Sequence, residues 1–158
     1  MHPEAQRLIG ELRLQPHPEG GWFRETYRSP DRVTTQRGTL RSATTAIYFL
    51  LTDGTFSAFH RLSSDETWHF YRGDPIVVEV ISPSGAHARR TLGTGDNFQT
   101  TIPAGAHFAA HVDAPGGYAL VGCDVAPGFE FADFALTTRS MLTAAYPQHG
   151  PLIARYTR

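Results

Sequence analysis

The stretch GTFSAFHRLSSDETWHFYRG, residues Gly54–Gly73, decides how this chain is read. It contains two short runs of strand-forming residues, Phe56–Leu62 and Thr67–Arg72, separated by turn chemistry at Ser63, Ser64 and Asp65. Side chains alternate between faces along a strand. His60 and Leu62 therefore share a face of the first run, and Glu66, Trp68 and Phe70 share a face of the second. The expectation is a pair of neighbouring antiparallel strands whose inner faces bring His60 and Glu66 into one cavity.

The same pattern continues on both sides. Strand-like runs are expected at 22–28, 44–51, 76–81, 86–92, 97–102, 107–112 and 118–125. Turn signals such as Asp53-Gly54, Gly73-Asp74-Pro75 and Pro103-Ala104-Gly105 stand between runs. Many short strands without long intervening helices mean a sandwich or barrel, not a parallel α/β sheet. Residues 1–14 read as one amphipathic helix, with Ala5, Leu8, Ile9 and Leu12 on one face. The segment from Gln15 to Gly21, with two prolines and two glycines, stops it. Short helices are expected over 140–146 and after Pro147, and Phe129, Phe131 and Phe134 are expected to cover one end of the barrel. No linker divides the chain, so 1–158 is one domain.

Composition narrows the function classes. All 14 basic residues are arginine, which leaves no Schiff-base or phosphate-loop lysine. They are scattered, with a net charge of −1, and form no stripe for nucleic acid. The one cysteine, Cys123, lies in an apolar run and reads as a buried structural thiol. No run approaches the length of a membrane span. The N-terminus has no apolar signal segment, so a cytoplasmic protein is expected.

The spacing Gly54-x5-His60-x-Leu62-x3-Glu66-x6-Gly73 resembles the first cupin motif, Gly-x5-His-x-His-x3,4-Glu-x6-Gly, except that leucine replaces the second histidine. In the second motif Pro103 and Gly105 fit, but its histidine position holds Phe108. The remaining chain is similar to the single-domain cupin-5 family. The resemblance rests on HPEGG at 17–21, Arg24-Glu25-Thr26, TAIYFLL at 45–51, SDETWHFYRGD at 64–74, and VGCDVAPGF at 121–129. It implies an all-β, double-stranded β-helix (jelly-roll) barrel with an N-terminal helix and short C-terminal helices. It also implies a homodimer. The family's sugar-epimerase label rests on analogy to dTDP-sugar epimerases.

Cupin metal sites take three histidines and a glutamate. Only His60 and Glu66 stand at matching positions here, and two ligands are too few for a tight zinc or iron site. His69 has the wrong parity. The expectation is no metal cofactor; if one binds, His60 and Glu66 are its ligands.

The leading reading is a metal-independent epimerase or isomerase acting on a sugar or nucleotide-sugar. His60 would be its base, Glu66 the partner of His60, and Tyr48 or Tyr118 the opposing acid. His17, Glu19, Arg24, Glu25, Trp68, Phe70, Phe108 and Asp124 are the candidate ligand-binding residues. Arg41, Arg61 and Arg72 are candidates for holding an anion. The first alternative is a cupin that binds a small ligand without chemistry, and the second is a metal-dependent cupin enzyme.

Overall fold

The computed structural model describes all residues, Met1–Arg158. In chain order the elements begin with helix α1 (Pro3–Glu11) and strands β1 (Gln15–Pro16), β2 (Trp22–Arg28), β3 (Arg32–Thr34), β4 (Leu40–Ser42) and β5 (Thr45–Thr52). Then come β6 (Phe56–Leu62), β7 (Asp65–Gly73), β8 (Ile76–Ile81), β9 (His87–Leu92), β10 (Gln99–Ile102), β11 (His107–Val112) and β12 (Tyr118–Ala126). Strand β13 (Phe134–Leu136) and helices α2 (Arg139–Ala145) and α3 (Gly150–Arg155) complete the chain.

Two antiparallel sheets face each other. One runs β1-β2-β5-β12-β7-β10, the other β13-β6-β11-β8-β9, and β3 and β4 form a separate hairpin. This is a jelly roll. Between the sheets lies the main apolar cluster, which includes Phe49, Trp68, Phe108, Val121 and Cys123. Each fully buried aromatic or large aliphatic side chain there contributes roughly 1.5–3 kcal/mol.

Both outer faces are also covered. Helix α1 lays Ala5 and Leu8 on Leu50, Tyr118 and Leu120 of the first sheet. Leu142 of α2, Ile153 of α3 and Tyr156 pack on Phe59, Ile81 and Ala109 of the second. This explains the continuous burial of β8, which sits centrally with a covered face on each side.

One expectation from the sequence is corrected. Strands β6 and β7 are not neighbours: β6 pairs with β11 and β13, while β7 pairs with β12 and β10. Ser63 and Ser64 carry the chain from one sheet to the other, and the Ser63 N–H is taken up by Asp133 O at 3.2 Å. His60 and Glu66 nonetheless line one cavity, because both inner faces look into the same space. Three features not anticipated from the sequence are β1, the β3–β4 hairpin and β13. Each is two or three residues long, too short for periodicity to register.

Candidate active site

A cavity of about 100 Å³ lies between the sheets. Its aromatic wall is built by Phe23, Phe49, Trp68, Phe129, Phe131 and Phe134. Its polar groups are His17, Glu19, Thr45, His60 and Glu66 inside, and Glu25, Arg28 and Glu130 where the lining meets solvent.

Strand β2 supplies Phe23 and Glu25 by alternation. A bulge between Glu25 and Tyr27 shifts the register and returns Arg28 to the cavity side. Short β13 pairs Phe134 with Leu62 and so closes the Phe129–Phe134 segment over the opening.

The Glu19 loop is held by its backbone. His17 N–H donates to Gly21 O at 3.0 Å, Gly20 N–H donates to His17 O at 3.0 Å, and Ala58 N–H of β6 donates to Glu19 O at 2.8 Å. Gly20 has φ 116°, and a Cβ there would lie 2.1 Å from Phe56 O, so only glycine lets the loop dock this closely.

Docked in this way, Glu19 is buried at the cavity floor. Ser57 Oγ donates to its Oε1 at 2.7 Å, and its Oε2 lies 3.1 Å from His60 Nε2 and 3.5 Å from His17 Nδ1. His60 Nδ1 is 2.8 Å from Ala58 O and donates to it. With that proton placed, Nε2 of a neutral ring carries the lone pair and faces Glu19. Burial disfavours charge on both groups, raising the Glu19 pKa and lowering that of His60.

Glu66 is in a different position. Its Oε2 accepts from Trp68 Nε1 at 2.8 Å, and its Oε1 has no hydrogen bond within the protein. Burial pushes its pKa up to about 7, against the opposing pull of His60 and the Trp68 hydrogen bond. The charge of Glu66 works against burial to raise the His60 pKa, and the nearby Glu19 adds to the rise at Glu66.

Of the residues singled out from the sequence, His17, Glu19, Glu25, His60, Glu66 and Trp68 come together around the cavity. Phe108 stands behind it, its ring 4.0 Å from that of His60. Phe70 fills core space against Gly93. Arg24, Tyr48, Tyr118 and Asp124 do not reach the cavity. Tyr48 alternates with the inward Ile47 and Phe49 and packs under α1, with the Arg24 guanidinium 5.7 Å from its ring. Tyr118 is buried in that same outer layer, and Asp124 pairs with His69 at 2.7 Å on the outer side of the first sheet. Arg41 is held bidentately by Asp133, Arg72 binds Glu4, and Arg61 is exposed on β6. Sequence reasoning did not single out Arg28, Glu130 and Ser57. Arg28 follows an unpredictable bulge, and Glu130 sits in an irregular segment.

The side chains at the cupin ligand positions do not compose a metal donor set. Leu62 and Phe108 offer no donor, which leaves only His60 and Glu66 at those positions. No group of three or more histidine, cysteine, aspartate or glutamate side chains is arranged to hold an ion.

A jelly roll with an inward histidine and glutamate at the motif positions defines a cupin. Residues 6–137 match the model of Cupin_5, cupin superfamily (DUF985), and the chain belongs to that family. A hypothetical protein from Leishmania major superposes with a TM-score of 0.91 at 38% identity, covering 97% of this chain and 98% of the other. Protein SO0799 from Shewanella oneidensis does so with a TM-score of 0.89 at 38% identity, covering 98% and 97%. The Saccharomyces cerevisiae protein YML079W, described as uncharacterised, is 29% identical over 81% of this chain and 72% of its own length. No helix is long and apolar enough to cross a membrane.

Proposed function

We propose that this cupin binds a small carbonyl compound in its cavity and moves a proton on it, as an isomerase or epimerase does. The observation that carries this reading is Glu66. Its carboxyl is buried in an aromatic cavity, one oxygen is held by Trp68, the other is free, and its affinity for a proton is balanced near neutrality. Such a group serves as carboxylate base and as carboxylic acid at the same pH.

A second carboxyl faces Glu66 across the cavity. Glu66 projects from β7 in the first sheet, whereas the Glu19–His60 pair is docked on β6 in the second. A ligand between the sheets lies between the two carboxyls. Glu66 takes the proton α to the carbonyl, and the negative charge moves onto the carbonyl oxygen. In an α-hydroxy carbonyl compound, return of that proton by Glu66 to the former carbonyl carbon, with the hydroxyl proton passing to the other oxygen, gives isomerisation. A proton delivered to the original carbon from the far side by Glu19, whose pKa burial raises, gives inversion and leaves Glu66 protonated and Glu19 ionised until exchange with solvent resets both. The acid–base role lies with Glu66, which has one oxygen free; no tyrosine hydroxyl lines the cavity.

A second reading, binding without chemistry, is favoured by the hydrogen bonds that fix Glu19 to Ser57 and His60 to Ala58 O. Deuterium exchange from solvent into small keto compounds separates the two. The expected result is exchange by wild type and by Tyr48→Phe and Tyr118→Phe, with a loss of about 100-fold or more in Glu66→Gln. A fall in the tyrosine variants with none in Glu66→Gln would refute the assignment. Tight binding without exchange would favour the second reading.

A further inference from the structure

We infer that the natural ligand carries a protonated amine and no phosphate or carboxylate. The inference deepens the proton-transfer reading and rests on its choice of this cavity as the ligand site. It starts from the one cation in the lining. Arg28 is already taken: its guanidinium donates to Glu25 at 2.8 and 3.0 Å, to Glu130 at 2.9 Å and to Phe129 O at 3.1 Å. An entering anion finds no free guanidinium, and the two carboxylates around Arg28 leave the opening net negative.

Deeper in, the polar groups are two carboxyls, two imidazoles and the Thr45 hydroxyl, which accepts the Phe129 N–H. His17 accepts the Glu19 N–H on Nδ1, and burial lowers its pKa, so it brings no positive charge. The other arginines considered for anion binding are on the surface, held by Asp133 or Glu4 or turned to solvent. A phosphate or carboxylate in this cavity would be desolvated beside Glu66 with no free cation in the lining to neutralise it. A nucleotide-linked sugar is excluded on that ground.

A cation meets the reverse situation. The free Oε1 of Glu66 accepts from an ammonium group, and the wall is made of aromatic rings. Phe129, Phe131 and Phe134 stand with centroids 5.0–6.2 Å apart, and the Phe49 and Trp68 rings are 5.7 Å apart behind them. Aromatic faces attract cations most strongly when water is excluded. A small amino-keto compound, such as an amino sugar, satisfies both the ammonium requirement and the proton chemistry.

The test uses the full chain and three probes of similar shape: isobutylammonium, isobutanol and isovalerate. Calorimetry or ligand-observed NMR at about pH 8 keeps Glu66 ionised. Wild type is expected to bind the ammonium about tenfold more tightly than the alcohol, with isovalerate weakest. Glu66→Gln, shown to be folded by its melting transition, is expected to lose that preference. Glu130→Gln at the opening, which leaves the interior intact, is expected to weaken it about twofold. Isovalerate binding as tightly as the ammonium, a preference unchanged in both variants, or an ammonium that does not bind would each overturn the inference. Deuterium exchange into a neutral ketone together with rejection of the ammonium would overturn it while sparing the proton-transfer reading. Selective ammonium binding without any exchange would do the opposite.

Discussion

Replacing Glu66 with glutamine should make the protein more stable, and increasingly so as the pH rises. The folded carboxyl titrates at about 7 and an ordinary glutamate at 4.5. Between these values the folded state holds more protons than the unfolded state, so stability falls as pH rises through that window. The cost is small at and below pH 4.5 and complete above about pH 7, where it reaches about 3 kcal/mol. Glutamine has no proton to lose, and its carbonyl oxygen can keep the hydrogen bond from Trp68 Nε1. The stability advantage of Glu66→Gln should therefore grow by about 2–3 kcal/mol between about pH 5 and pH 8. For a domain of this size that is a gap in melting temperature widening by about 5–10 °C. Urea and thermal unfolding of both proteins across that range measure it. Curves that stay parallel would show that Glu66 titrates normally when folded, and the neutral-pH acid–base role assigned to it would fall with that result.

Two further outcomes follow from the fold. Gly20→Ala should cost more than about 3 kcal/mol, since its Cβ meets Phe56 O and the docked Glu19 must leave Ala58 and Ser57; Gly54→Ala, with φ 79° and open space around it, should cost about 1–2 kcal/mol, and equal urea midpoints for the two would refute the docking argument. The outer edge of β2 is covered by β1 only at Trp22 and Phe23, which leaves backbone groups free to join a second copy, so light scattering should report twice 17.4 kDa, whereas a 17.4 kDa particle at micromolar concentration would refute a dimer.

What the sequence determined by itself was everything that depends on local periodicity. The runs 56–62, 76–81 and 107–112 coincide with β6, β8 and β11, because alternation and turn residues are written within a few neighbouring positions. The inward parity of His60, Glu66 and Trp68 was legible for the same reason, as was a sandwich or barrel of short strands; the jelly roll was implied by the resemblance to the cupin-5 family. Pairing was not. Which strand lies beside β6 depends on contacts with residues far along the chain, and the sequence is silent on whether Ser63 and Ser64 turn a hairpin or cross between sheets. The site's division of labour was equally a tertiary decision. His60 and Glu66 are six positions apart, yet the carboxyl 3.1 Å from His60 Nε2 is that of Glu19, brought in by a glycine loop docked on β6. Tyr48 and Tyr118 are chemically suitable acids that the alternation of β5 and the packing of α1 turn away from the cavity. Burial, which moves the Glu66 carboxyl from 4.5 to about 7, is a property of the closed sandwich: a carboxyl loses its water only once both sheets surround it.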